Sequence, residues 1–159
     1  DRLSPTARRR AGRSVLIASG LWGLVRPGDR IPWYRFSMKP KLEGVGGLAA
    51  FWREPLAAAM AEAGHNREGR LVLDMRSGAY AAAWRPGAAR LLAVRGFTDA
   101  PTGRKAISHM AKAIRGDVAR IVLEAPSPPE DAEAVAGLVE AAGMAVELGP
   151  KSLDVIVPG

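Results

Sequence analysis

Residues 127–157 read SPPEDAEAVAGLVEAAGMAVELGPKSLDVIV, and this stretch decides the fold. Ser127-Pro128-Pro129-Glu130 combines a capping-box spacing with proline in the first turn, where a helix has no use for the missing N–H. Val135, Leu138, Val139 and Ala142 then recur at three and four, an apolar stripe that Gly143 closes. Residues 144–148 and 153–157 are short apolar runs joined by Gly149 and Pro150, which reads as two strands in a hairpin. A helix and a strand pair of this kind each need a partner for one apolar face, so the pattern points to α/β.

Toward the amino terminus the alternation continues. Residues 105–124 read as a strand, a turn and a helix, with Ile107, Met110, Ile114, Val118, Ile121 and Val122 at helical spacing and Arg115-Gly116 placed to interrupt it. Residues 90–97 and 70–74 read as strands, and Ser77 stands where it can cap a short helix running through Trp84. Leu48, Phe51, Trp52, Leu56, Met60 and Ala63 form one helical face ended by Gly64, with Pro55 either kinking or beginning that helix. Ser4-Pro5 reads as an N-cap and first helical residue, so residues 5–11 form a short basic helix ended by Gly12, followed by a buried strand at 15–18. The expected fold class is α/β, a mixed sheet covered by helices, in one domain over residues 1–159.

Residues 19–46 break the pattern. Glycine and proline deny them a long helix or a central strand, so they read as a long structured loop with short strands. Trp22, Trp33, Tyr34 and Phe36 argue against disorder, and structured loops of this length usually carry function.

The charge is sorted. Net charge is +7, and residues 1–45 carry ten Lys or Arg against three Asp or Glu, whereas 46–159 carry thirteen of each. Arg104, Lys105, Lys112, Arg115 and Arg120 stand against Asp117 alone, and residues 124–147 hold six acids and no base. Such sorting attracts phosphate polyanions or anionic ligands; a solvated basic face is the plainer alternative. The chain has no cysteine and only two separated histidines, which leaves disulfides and thiolate chemistry out and a metal site poorly supplied. No apolar run approaches the roughly 20 residues that span a bilayer, so a membrane partner is not expected.

Residues 19–35, SGLWGLVRPGDRIPWYR, followed by Met38 and Leu42, resemble the signature stretch of the YaaA family of peroxide stress proteins, S-G-L-Y-G-x-L-R-P-x-D-x-I-x-x-Y-R. Ser19, Gly20, Gly23, Pro27, Asp29 and Tyr34 fall on its fixed positions. Phe51-Trp52 matches the family's F-W pair, and residues 74–80 resemble its N-L-A-S-x-E-Y motif through Ser77 and Tyr80. Lys105, Ser108, Lys112, Arg115 and Gly116 fit the K-x-x-S-x-x-x-K-x-x-R-G block. Trp22 replaces the usual tyrosine, and Asp74 and Ala79 replace asparagine and glutamate, moving a carboxylate from helix to strand end. The family's opening strand, L-S-P-A-K segment and Y-x-G-x-x-Y-x-G-L segment do not occur here. The resemblance therefore implies a YaaA-like domain lacking its amino-terminal third, with an open sheet edge and lower stability than a longer form; the alternative is a shortened member that closes its edge with its own 15–18 or 153–157 strand.

The resemblance further implies a cytoplasmic, DNA-binding protection protein of the hydrogen peroxide response that limits oxidative damage and free iron, without a cofactor or resident metal. Candidate phosphate contacts are Arg26, Arg30, Arg35, Lys39, Lys41, Lys105, Lys112 and Arg115. Arginine suits the task because its planar fork gives phosphate two parallel hydrogen bonds and keeps its charge. The alternative for Arg26 is a pair with Asp29 that pins the loop. Trp33, Tyr34 and Phe36 interleaved with Arg30 and Arg35 is a combination that suits base stacking beside a phosphate-tracking groove. A runner-up reading is an enzyme acting on a phosphorylated or nucleobase-containing small molecule, with Asp29, Asp74, Ser77, Tyr80 and Lys105 as its groups. No P-loop, dinucleotide fingerprint or nucleophile elbow is present, so no recognised enzyme class is supported and no catalytic residue is assigned.

Overall fold

A computed structural model describes residues 3–87, 90–101, 103–107 and 110–158. In chain order the elements are α1 (Pro5–Ser14), β1 (Ile17–Ser19), β2 (Gly23–Val25), β3 (Lys41–Leu42), β4 (Gly46–Gly47), α2 (Leu48–Phe51), α3 (Arg53–Glu62), β5 (Leu71–Asp74), α4 (Gly78–Ala81), β6 (Arg90–Ala100), β7 (Gly103–Ala106), α5 (Ala111–Glu124), α6 (Ala132–Ala141), β8 (Ala145–Gly149) and β9 (Ser152–Val157). Contacts gather into two compact units, one of Asp1–Arg8, Leu71–Met75 and Arg90–Gly159, the other of Arg9–Arg70 and Arg76–Ala89.

The first unit is a mixed sheet in the order β5-β6-β9-β8, with β7 also on β6. The parallel pairs are β5–β6 and β6–β9, and the antiparallel pairs are β6–β7 and the β8–β9 hairpin. β9 pairs with positions 93–98 of β6, while β5 pairs with 90–93 and β7 with 97–100. β5 and β7 therefore share the edge of β6 opposite β9, and between them the strand is unpaired by either.

The core lies on one face of this sheet. Leu92 and Val94 of β6, Leu153 and Val155 of β9, Ile114 and Val118 of α5, and Val135 and Val139 of α6 are each at most 3% exposed and form one cluster. Their spacing is two along the strands and four along the helices, so each element turns a single apolar face inward. Burying each such side chain contributes about 1.5–3 kcal/mol. On the other face, Arg95 makes a two-bond pair with Asp154 (2.7 and 2.6 Å), and Arg104 reaches Asp99 (3.0 Å) and Glu147 (2.5 and 2.9 Å).

The mixed sheet and its helical cover agree with the sequence, and several boundaries move for physical reasons. The helix expected from Ser127 begins instead after Asp131, whose carboxylate accepts the Ala134 N–H at 2.7 Å. Pro129 disfavours a helical conformation at Pro128, so Ser127 cannot open the turn. Ser4 does cap α1, its Oγ accepting from Ala7 and its carbonyl from Arg8, but the helix runs through Gly12 to Ser14. An interior glycine costs only about 1 kcal/mol, and Ala7 and Ala11 are buried on the same helix. Arg115-Gly116 likewise sits inside α5; the break that separates strand from helix falls earlier in the segment. Pro55 resolves as a beginning, since the 48–63 helix divides at Trp52 and proline occupies the first turn of α3. Phe51 leaves the expected apolar face and is 49% exposed. Ser77 is at the N-cap of α4 without a side-chain cap bond, and α4 stops at Ala81 rather than at Trp84.

The strand expected to be buried at 15–18 is β1, which starts at Ile17, pairs antiparallel with β2 and leaves Ile17 46% exposed. It belongs to the second unit, where β3 and β4 form another two-stranded piece and α2 and α3 follow.

Candidate functional site

The signature residues of 19–35 converge in the second unit. Ser19 is 3% exposed, and its Oγ accepts the N–H groups of Leu21 (3.2 Å) and Trp22 (2.9 Å), closing the turn between β1 and β2. The same oxygen lies 2.5 Å from the Tyr34 hydroxyl. Gly20 follows because a Cβ there would stand 2.8 Å from the Ser37 carbonyl group, so only bare backbone lets 19–23 and 37–38 lie together. Gly23 has φ +72°, and its missing Cβ would fall 2.7 Å from the Trp52 ring. Trp52 in turn donates its Nε1–H to the Gly20 carbonyl at 2.9 Å and meets Phe51 edge to face. The F-W pair is thus the floor on which the glycine-rich turn rests.

Beyond this knot the chain is held by Asp29, whose Oδ2 accepts the Arg26 backbone N–H at 2.7 Å, across the turn through Pro27. The Arg26 guanidinium bonds the Arg13 carbonyl at 3.2 Å, so the alternative of an Arg26–Asp29 pair is met through backbone rather than by charge. Tyr34 and Arg35 line an open cavity of about 540 Å³ with Phe36, Ser37 and Pro40. Arg30, Arg35, Lys39 and Lys41 are exposed, and among the described residues none of their charged groups has a partner. Trp33 is 90% exposed.

Hydrogen bonds also fix residues 76–84 of the same unit. Arg76 donates to the carbonyls of Tyr80 (3.3 Å) and Trp84 (2.9 Å) and lies 5.5 Å over the Trp84 ring, which holds the turn containing Ser77. Ser77 is exposed and Tyr80 half-buried.

In the first unit, Lys105 is exposed on β7 and Lys112 on α5, with Gly116 exposed one turn further along. Arg115 is differently employed. Its Nε donates to the Val94 carbonyl at 3.0 Å, at the stretch of β6 that neither β5 nor β7 reaches. Carbonyls two residues apart on a strand face the same edge, and the next one, on Gly96, receives the Ile107 N–H at 2.9 Å. Arg115 therefore completes the hydrogen bonding of a split sheet edge. Asp74 is buried at the end of β5. Ser108 lies outside the described residues.

Sequence reasoning passed over Ser37, whose carbonyl is the close neighbour of Gly20 and whose side chain lines the cavity. No sequence signal singles Ser37 out, because the close approach to Gly20 joins segments that are 17 residues apart.

A family model described as Peroxide stress protein YaaA matches residues 1–142. This chain belongs to the YaaA family. A UPF0246 protein of Streptomyces coelicolor is 49% identical over 165 residues, covering 98% of this chain and 62% of the relative. One from Corynebacterium efficiens is 35% identical, covering 93% and 58%, and one from Ruegeria is 40% identical over 119 residues, covering 72% and 47%. The chain thus spans 62% or less of the length of these relatives. The matched range includes the Ser19, Gly20, Gly23, Tyr34 and Trp52 knot. No described helix is long and apolar enough to cross a membrane, and among the described residues no three His, Cys, Asp or Glu groups are placed to hold a metal.

Proposed function

We propose that this YaaA-family chain contacts DNA through its 26–41 segment and serves, in the cytoplasm, a protein that limits oxidative DNA damage and free iron under hydrogen peroxide. The observation that carries the DNA part is Trp33, 90% exposed between Arg30 and Arg35, two arginines whose guanidinium groups have no partner among the described residues. An exposed indole flanked in sequence by unpaired arginines suits a stacking platform on a phosphate track, and a stacked base contributes about 1–3 kcal/mol. Lys39 and Lys41 extend the track, and Lys105 and Lys112 are proposed as further phosphate contacts, with Arg115 able to add only the guanidinium N–H groups not given to the Val94 carbonyl. The protective role and the link to iron rest on the family alone.

Titrating the protein with labelled oligonucleotide across a salt series tests this. Log affinity is expected to fall linearly with log salt, by about 0.7 per neutralised phosphate on a single strand and about 0.9 on duplex. Arg30→Ala and Arg35→Ala should each take about one contact from the slope. Affinity indifferent to salt would sink the proposal.

The small-molecule reading has one observation in its favour, a cavity of about 270 Å³ lined by Leu16, Leu24, Val25 and Met60 together with Arg26, Asp29 and His65. Burial, with Arg70 and Arg26 nearby, lowers the His65 pKa from its usual 6.5, so at pH 7 the imidazole is neutral and offers one donor and one acceptor. A thermal-shift series of nucleobases, nucleosides and nucleotides is expected to give a rise of several degrees for one of them if this cavity is a substrate site. A flat series would remove the reading.

A further inference from the structure

The hydroxyl of Ser19 has two lone pairs and one proton. The N–H groups of Leu21 and Trp22 approach both lone pairs; either hydroxyl can donate across the 2.5 Å to the other, and the direction that leaves those two bonds intact has Ser19 donating to the Tyr34 oxygen. Tyr34 is then an acceptor toward Ser19, and its own O–H is left pointing elsewhere. Among the described residues that O–H has no acceptor. Ser19 is 3% exposed and sits in a turn fixed by Gly20 and Gly23, so it holds the phenol in one orientation.

The cavity that Tyr34 lines has a matching character. Arg35 contributes donors only, Ser37 a hydroxyl, and no carboxylate is among its lining residues; Phe36 and Pro40 supply flat apolar wall. Donors without a competing acid select an oxyanion, because an oxyanion accepts and cannot donate. A flat wall beside them favours an oxyanion attached to a ring. Inorganic sulfate or a carboxylate metabolite would satisfy the donors and leave the wall unused.

We infer that the 34–40 cavity is a single-nucleotide site, in which Tyr34 O–H and the Arg35 guanidinium grip one phosphate group while Phe36 and Pro40 receive the attached base or sugar, with Ser19 as the residue that positions Tyr34. The inference rests on the nucleic-acid reading above and adds a recognition element to it. The occupant is either one unit of a strand or a free nucleoside phosphate, which share this chemistry. Tyr34 acts as a neutral donor and releases no counterion, so its contribution is separable from that of the cations around it.

The experiment measures binding of a labelled single-stranded oligonucleotide across a salt series, and of a nucleoside monophosphate by calorimetry, for wild type, Tyr34→Phe, Ser19→Ala and the double variant. Tyr34→Phe keeps the ring and is expected to weaken binding about tenfold with an unchanged salt slope, the signature of one lost hydrogen bond to a charged group. Ser19→Ala is expected to show a similar loss, with little added in the double variant, because the two act on one bond. Tyr34→Phe alone decides the matter if Ser19→Ala does not fold. Wild-type affinity in Tyr34→Phe for both ligands would overturn the inference while leaving the DNA reading in place. If wild type ignores the oligonucleotide, the DNA reading falls; Tyr34-dependent binding of the monophosphate would then support the site with a free nucleotide as occupant, and binding of neither overturns it.

Discussion

Gly23→Ala is expected to destabilise this chain by about 3 kcal/mol or more, combining a left-handed conformation that costs an alanine about 1–2 kcal/mol with overpacking at about 1–3 kcal/mol. The backbone there has φ +72°, and the new methyl would meet the Trp52 ring at 2.7 Å. The ring has little room to retreat, since its Nε1 is tied to the Gly20 carbonyl and its edge to Phe51. Displacing Trp52 would release Gly20, and with it the turn that orients Ser19 and Tyr34. Urea denaturation followed by tryptophan fluorescence measures the loss, and a midpoint within error of wild type would show that the knot is softer than described. Trp22 or Leu21, both exposed, would serve as control positions for substitution in the same turn.

How much of this was legible in the sequence depends on how far apart the interacting groups lie. The β8–β9 hairpin and helix α6 sit within the 31-residue stretch quoted at the outset, and their pattern was read with the right type and nearly the right limits. The pairing of β6 with β9 was not readable, because parallel strands are joined through other elements and leave no local trace. The cap of α6 was misplaced since two candidates compete, and the decision falls to Pro129, which acts backward on its neighbour. Residues 19–46 showed their importance through composition, yet not their form. That form is set by side chains bonding to backbone, as Ser19 and Trp52 do, and such bonds follow no period. Arg115 was legible as a cation and not as the partner of a carbonyl, because the split edge it serves exists only once β5 and β7 are both in place.

The second large effect is expected at Leu153→Ala, near the start of β9. Leu153 is fully buried, opposite Val94 in the register and within the cluster shared with α5 and α6. Removing its side chain leaves a cavity that close-packed neighbours fill only in part, and the loss is about 2–5 kcal/mol. Ile156→Ala on the same strand, half-buried and outside the buried cluster, should lose less. Calorimetric or denaturant unfolding of the two variants side by side measures the contrast. Equal losses would mean that the core does not lie on the face assigned to it.

The position of β6 between strands that precede and follow it bears on how the chain is made. Val94 emerges from the ribosome well before Leu153, its partner in the sheet, and a separation of about 60 residues corresponds to about 3–12 s of synthesis. During that interval β6 can pair with β5 and β7, which lie close in sequence, while its other edge and the apolar side chains of Leu92 and Val94 remain uncovered. The nascent chain thus carries a half-built sheet whose missing strand is encoded about 60 residues later, and it is in this window that a chaperone has most to cover.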